Sequence, residues 1–408
     1  MAASVNETNA GERRDLAFLI EQQIVNHPQQ RITFADFMEV ALYHPKLGYY
    51  FTKAKTIGRA GDFLTAPHLA ADFGEMIATQ FAQMWEILGQ PKPFTIIEMG
   101  AGQGLLASQI LNFLHTHHTD LWDCLEYKIV ERSETLIAVQ QETLQPLIER
   151  GGSIQWCDVR SLAPDSITGC FFSNELVDAF SVHRVRVTNQ ELQEVYVTAA
   201  PPNGEPVSFE ELVDELSTPA LKDYFSLIGL DLCSSAYPEG YTTEVNLAAL
   251  DWMQQVARCL HQGFVLTIDY GYPADRYYIP SRTEGTLQCY YQHQFHSNPY
   301  IYIGEQDITA HVDFTALQTQ GEQYGLQVLG LVPQALFLMS LGLGDRITAL
   351  GQSESRDRQE IQSLLRRREA LHSLVNPMGM GNFLVLLQGK NLPGDMPTLQ
   401  GLNQPPLF

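Results

Sequence analysis

The chain has 408 residues, of which 45% are hydrophobic and 18% charged, the composition of an ordinary globular protein long enough to bury a sizeable core. Its formal net charge of −22 at pH 7 disfavours a nucleic-acid partner, because binding a polyanion rests on clustered Lys and Arg that neutralise phosphates. The six cysteines are scattered, with no C-x-x-C pair and no zinc-type spacing with histidine, so free thiols and no metal site are expected.

Residues 1–11 are polar, with no apolar centre for a secretory signal and with acids that do not suit a transit peptide; a cytoplasmic location is the expectation. Asp15 to Val25 and Thr33 to Ala41 read as helices, the second capped by Thr33 with Asp36 three residues on. Asp72 to Leu88 carries Phe73, Met76, Ile77, Phe81, Met84 and Trp85 at helical spacing, a core-facing stripe. Pro91 and Pro93 then break the chain before an apolar run, Thr95-Ile96-Ile97, that ends in Glu98. Further strands are expected at Tyr127–Glu131, Ile154–Asp158, Gly169–Glu175 and Gly263–Tyr270. Between the last two, His183–Val187 and Glu194–Thr198 alternate like a β-pair, and Tyr241 to Leu260 reads as a helix. Phe314–Tyr324, Leu326–Leu331 and Phe383–Gln388 would complete the sheet with a helix and two strands, and Arg356 to Ser373 is a charged helix whose Arg366-Arg367-Arg368 reads as a solvated face. The apolar stretch Leu326–Leu343 is interrupted by Pro333, Gln334 and glycines, which argues against a membrane span.

After Glu98, glycines fall at every second position: Gly100, Gly102 and Gly104. A dinucleotide fingerprint would need G-x-G-x-x-G, and Leu105 stands where its third glycine would fall. The pattern E-x-G-x-G-x-G instead resembles motif I of class I S-adenosylmethionine (SAM) methyltransferases. SAM has no phosphate to cradle, and a carboxylate such as Glu98 can act near its cationic amino-acid end. Glu131, 33 residues after Glu98, sits at the tip of the second strand, where an acid can accept hydrogen bonds from ribose hydroxyls. Asp158 ends the third strand; in methyltransferases an acid or amide there meets the adenine amino group. Asn174 and Glu175 end the fourth. Each acid taken singly is as compatible with strand-end capping as with ligand contact.

Several stretches outside this motif resemble one family: His44-Pro45-Lys46-Leu47-Gly48-Tyr49-Tyr50, Gly61-Asp62-Phe63-Leu64-Thr65-Ala66-Pro67, Phe73-Gly74-Glu75, Asn174-Glu175-Leu176-Val177-Asp178-Ala179 and Asp307-Ile308-Thr309-Ala310-His311-Val312-Asp313-Phe314. Together they are similar to the MidA-like SAM-dependent methyltransferases, which include the mitochondrial protein arginine methyltransferase that assists respiratory complex I assembly. The resemblance runs from about Thr33 to Leu387. It implies an α/β fold, a Rossmann-like class I methyltransferase sheet with a helical N-terminal region and α+β insertions, with SAM as cofactor. The segments would be a helical region packing on the core (1–92), the first part of the SAM-binding core (93–182), an insertion (183–245), a core continuation (246–275), an aromatic-rich insertion (276–306), the C-terminal core with helical additions (307–392) and a tail (393–408). Two residues depart from the family pattern: His68 where an acid is common, and Ala101 where proline is common in the glycine motif.

A guanidinium acceptor is planar and charged, so paired carboxylates are its natural clamp. Glu175 and Asp178, three apart, would share one face of a helical turn, while Asn174 or Asp178 could equally cap the following helix. His311 and Asp313 are the other catalytic candidates, as base or hydrogen-bond anchor, against a plain helix-start role. Asp62 and Thr65 would form part of a cofactor lid. The Asp/Asn/Ser-Pro-Pro-aromatic box of nucleic-acid amino-methyltransferases is absent, the residues being Ser173-Asn174-Glu175-Leu176. The expected function is therefore SAM-dependent methylation of a protein arginine on a respiratory or NDH-1 type subunit, with a homodimer compatible. The alternatives are an assembly or interaction factor with little turnover, and a small-molecule N- or O-methyltransferase.

Overall fold

The computed structural model describes residues 16–53, 66–200, 207–292, 294–352 and 357–403. The chain forms two units, each assembled from separated segments: Phe63–Leu176, Met253–Gly271 and Gly321–Phe408 make a sheet unit, and Met1–Asp62, Val177–Trp252 and Tyr272–Gln320 make an insertion unit.

Apolar runs that end in polar tips become the strands of the sheet unit: β1 (Phe94–Met99), β2 (Leu125–Val130), β3 (Ser153–Cys157), β4 (Ile167–Asn174), β5 (Leu260–Asp269), β6 (Gln327–Pro333) and β7 (Leu384–Lys390). Their spatial order is β3-β2-β1-β4-β5-β7-β6. The first five pair in parallel, and β7 runs antiparallel to both β5 and β6. Strand order reverses between β1 and β4, and in open α/β sheets ligands bind beyond the carboxyl ends at such a switch point. On one face of the sheet Ile96, Phe172, Leu266 and Leu387 are buried with Phe73, Ile77 and Phe81 of the helix Asp72–Ile87. Phe81 meets Phe172 edge-on at 5.5 Å. Each such fully buried aromatic contributes about 1.5–3 kcal/mol. The expected apolar stripe of this helix thus builds the core.

That helix is also tied to the C-terminal end of the chain. Asp72, whose side chain is 2% exposed, accepts from Arg367 through Nε (2.8 Å) and a terminal nitrogen (2.6 Å), and from Arg346 at 3.0 Å. Arg346 also pairs with Glu75. The Arg366–Arg368 run is therefore not uniformly a solvated face, since its middle residue is turned inward to a buried acid. A bidentate guanidinium fork matches a carboxylate in a way that offsets the cost of burying it.

The insertion unit holds a five-stranded antiparallel sheet of Ile32–Thr33, Glu191–Ala199, His183–Thr188, Thr242–Val245 and Phe209–Asp214. The helix Phe34–Tyr43 starts with the expected box, Thr33 Oγ1 accepting from the Asp36 amide and Asp36 from the Thr33 amide. A second, three-stranded sheet joins Gln294–His296, Gln288–Tyr291 and Asp307–Thr309. One departure from expectation lies at Tyr241–Leu260. The segment Thr242-Thr243-Glu244-Val245, β-branched at all positions but Glu244, pairs with His183–Arg186, and the helix begins only at Leu247, after Asn246 has capped the Ala249 amide. Among the described residues no helix is long and apolar enough to cross a membrane, and no cluster of His, Cys, Asp or Glu could hold a metal ion.

Candidate cofactor and acceptor sites

The glycine turn follows β1 directly. Gly100, Gly102 and Gly104 all adopt positive φ, at +74°, +53° and +77°, a region that other residues enter only at a cost. The Gly100 amide donates to the Val130 carbonyl of β2, and Gly104 closes the turn onto Ala101 before the helix Leu105–His117 begins. A Cβ on Gly100 would lie 2.7 Å from Leu176 Cδ1, whereas a Cβ on Gly102 would meet no protein atom within 4 Å. Gly102 thus presents bare backbone to an open space, as a turn that lets a ligand approach closely requires.

Glu98 is 2% exposed and accepts a 2.8 Å hydrogen bond from the Tyr127 hydroxyl. Burial, opposed by that bond and reinforced by the charge of Glu131, pushes its carboxyl up to about 7. An acid left so costly to ionise is suited to receive a cation. Glu131 Oε1 accepts from the amides of Arg132 (2.8 Å) and Ser133 (2.9 Å), and Oε2 from Gln140 Nε2 (3.2 Å). Burial raises its carboxyl despite these bonds.

Asp158 is exposed, and its Oδ1 caps the following turn by accepting from the Arg160 amide at 2.8 Å. Asn174 donates through Nδ2 to Glu175 Oε1 (3.1 Å), while its Oδ1 is buried and accepts no hydrogen bond among the described residues. Glu175 has φ +50°, and its amide donates to the Ile268 carbonyl of β5. The helical turn expected over Glu175–Asp178 begins only at Val177, because this left-handed residue ends the strand first. Asp269, at the tip of β5, supports the same corner by accepting from the Leu176 amide at 3.2 Å.

The bare Gly102 backbone, the orphaned Asn174 Oδ1, the buried Glu98 and the half-buried Glu131 fit a SAM-type cofactor, which carries an ammonium, a ribose and an adenine. Asp62 and Thr65 lie outside the described residues.

Asp178, His311 and Asp313 belong to the insertion unit. Asp178 is buried in the short turn Val177–Ala179, and its carbonyl accepts from the Ala310 amide, next to His311. The His311 ring stacks on Tyr272 at 5.3 Å, and its amide donates to Thr286 Oγ1. Burial, and then the Arg282 charge, lowers the His311 imidazole to about 4. Asp313 accepts from the amides of Thr315 and Ala316 at the start of the helix Phe314–Gln323 and from the Tyr224 hydroxyl at 3.0 Å; burial raises it to about 6. Its geometry is that of a helix cap. Gln140, Tyr127 and Asp269 were not expected at the site from the sequence.

Comparison with known proteins identifies the family. Residues 76–332 match the family described as "Putative S-adenosyl-L-methionine-dependent methyltransferase". The human mitochondrial protein arginine methyltransferase NDUFAF7 is 28% identical over 387 residues, covering 89% of this chain and 81% of its own. Its Drosophila melanogaster homologue is 26% identical over 380 residues, covering 88% and 82%. A Burkholderia thailandensis protein crystallised with S-adenosyl-homocysteine (SAH) superposes with a TM-score of 0.81 at 30% identity, covering 97% of this chain and 96% of that one. These relatives correct one expectation from the sequence: the arginine methyltransferases are named mitochondrial, which points away from the cytoplasm.

Proposed function

The chain belongs to the S-adenosylmethionine-dependent methyltransferase family, and on that premise we propose that it methylates an arginine guanidinium of a protein, on a respiratory or NDH-1 type subunit. The relatives' description as protein arginine methyltransferases supports the arginine. Within the chain, the observation that carries it is Glu175, an acid in a left-handed conformation at the end of β4, held by Ile268 and Asn174. A non-glycine residue kept in a sparsely populated conformation is a marker of functional constraint.

When bound, SAM supplies an electrophilic methyl group on a sulfonium sulfur. The backbone of Gly100, Gly102 and Gly104 would form the floor for it, Glu98 would hold the ammonium, Glu131 would accept from a ribose hydroxyl, and Asp158 and Asn174 would serve the adenine and the methyl end. Glu175 orients the guanidinium through charge-assisted hydrogen bonds. With SAM bound, its S–CH3 bond would break as the N–C bond forms, leaving SAH, and the proton displaced from the guanidinium nitrogen would pass to the Glu175 carboxylate and from there to water. The insertions 183–245 and 276–306 offer a protein-facing surface that is compatible with a homodimer.

Full-length protein is incubated with tritiated SAM and respiratory-subunit extract, and labelled protein is hydrolysed to amino acids. Label in methylarginine, lost in Glu175→Gln while SAH still binds, is the expected result. Label confined to small molecules would replace the protein acceptor by a small one. Tight SAH binding with no transfer to any fraction would favour an assembly factor.

A further inference from the structure

We propose that Gln140 is a positioning residue for the cofactor, acting through Glu131 and the glycine turn. This rests on the family's cofactor and is independent of the arginine acceptor. Gln140 lies in the helix Glu134–Glu149 and is fully buried. A buried glutamine in mid-helix is costly unless its amide is satisfied. Here both donors and the carbonyl oxygen have partners: Nε2 donates to the Gly102 carbonyl at 2.8 Å and to Glu131 Oε2 at 3.2 Å, and Oε1 accepts from Trp156 Nε1 at 2.8 Å. The indole can only donate, and the carbonyl and carboxylate only accept, so the orientation of the amide is fixed by its partners. One side chain thereby joins the loops after β1 and β2 to β3.

The consequence for Glu131 is specific. A carboxylate offers about four acceptor positions. Two on Oε1 are taken by backbone amides and one on Oε2 by Gln140, so one position on Oε2 is left for a ribose hydroxyl. Gln140 selects which position that is and stops the carboxylate from turning. The same amide holds the Gly102 carbonyl toward the helix, which fixes the rotation of the peptide that follows in the floor of the site, because the peptide unit is planar.

The test measures SAH affinity of the full chain by calorimetry for Gln140→Met, Glu131→Gln, the double variant and Trp156→Phe. Methionine keeps the length and apolar stem of glutamine without its hydrogen bonds; Gln140→Leu serves if it fails to fold. Gln140→Met is expected to weaken SAH about tenfold or more with the urea unfolding midpoint kept within that of Trp156→Phe, which itself loses less than about threefold. In the Glu131→Gln background the same substitution is expected to cost less than about threefold, since the acid it positions is already altered. Unchanged affinity in Gln140→Met, or an undiminished loss in the Glu131→Gln background, would overturn the assignment and leave Gln140 as packing. None of these readouts depends on methyl transfer.

Discussion

Replacing Glu98 by glutamine should make the protein more stable above neutral pH and at the same time uncouple cofactor binding from proton release. The carboxyl is 2% exposed, has one neutral hydrogen-bond donor in Tyr127, and is raised from 4.5 to about 7 chiefly by burial. A shift of that size corresponds to about 3 kcal/mol. The sign follows from proton binding. The folded state holds the proton more tightly than the unfolded one, so no penalty exists below the unfolded value, and stability falls as pH rises from 4.5 through about 7. Glu98→Gln removes that loss, so the urea midpoints of variant and wild type should converge near about pH 4 and separate toward about pH 8. A cationic ligand placed against Glu98 favours the charged form and expels the proton. Near pH 7, where the group is half protonated, SAH should release about half a proton on binding. Calorimetry in phosphate and in Tris, buffers of different ionisation enthalpy, reads this directly as a buffer-dependent binding enthalpy. Equal enthalpies in the two buffers for wild type, or the same buffer dependence in Glu98→Gln, would refute the reasoning.

Gly102→Ala should lose only the about 1–2 kcal/mol of a left-handed alanine, because its Cβ meets no protein atom, while Gly102→Val should fold yet lose the SAH-induced rise in melting temperature. Gly100→Ala adds a 2.7 Å approach to Leu176 and should melt lower than Gly102→Ala in the same scan. Asp72→Ala strands the Arg367 guanidinium while Arg346 keeps Glu75; as the Arg367 side chain is 48% exposed, a loss of about 2 kcal/mol by urea unfolding is expected, below the about 3–5 of a fully buried pair. The Arg367 and Arg346 hydrogen bonds hold Asp72 below 3.8 against burial, so its contribution is kept above that pH and lost as pH falls through the lowered value. His311, lowered from 6.5 to about 4, should titrate near about pH 4 in its imidazole proton resonances, and its contribution to stability is complete above 6.5 and declines toward 4. A His311→Asn variant should therefore keep the neutral-pH limb of the activity profile.

Much of the sheet was legible because its strands are local events. Apolar runs such as Thr95–Ile97 and Cys170–Phe172 declare themselves, and the polar residues that end them lie at the carboxyl ends of β1, β2, β3 and β4. The glycine spacing was readable for the same reason. What the sequence hid depends on partners far away in the chain. Gln140 is one glutamine among many on a helix, and only the arrival of Gly102, Glu131 and Trp156 around it gives it a role. Asp72 and Arg367 are 295 residues apart, so a triple-arginine run looked like solvated surface. Thr242–Val245 read as helix because the strand that claims it, His183–Thr188, lies some 60 residues earlier. The spacing of Glu175 and Asp178 suggested one helical face, but backbone conformation decided otherwise, with Glu175 left-handed and Asp178 in the next turn.

The position of β7 bears on how the chain is made. It is the last strand in sequence, yet it is inserted between β5 and β6, pairing with β5 from Gly263–Lys390 to Asp269–Leu384 and with β6 along its other edge. Synthesis runs from the N-terminus at about 5–20 residues per second, so the edge of β5 emerges about 6–24 seconds before the strand that covers it. Through that interval Phe264 to Ile268, apolar but for Thr267, is an open template for pairing with another chain. A nascent or prematurely terminated chain that stops short of Leu384 keeps the whole glycine turn and all the strand-tip acids, and still exposes the edge of β5 that β7 would cover. Stalled or truncated products of this protein are thus predisposed to aggregate, and chaperone demand should peak late in translation, after the cofactor-binding segments have already been made.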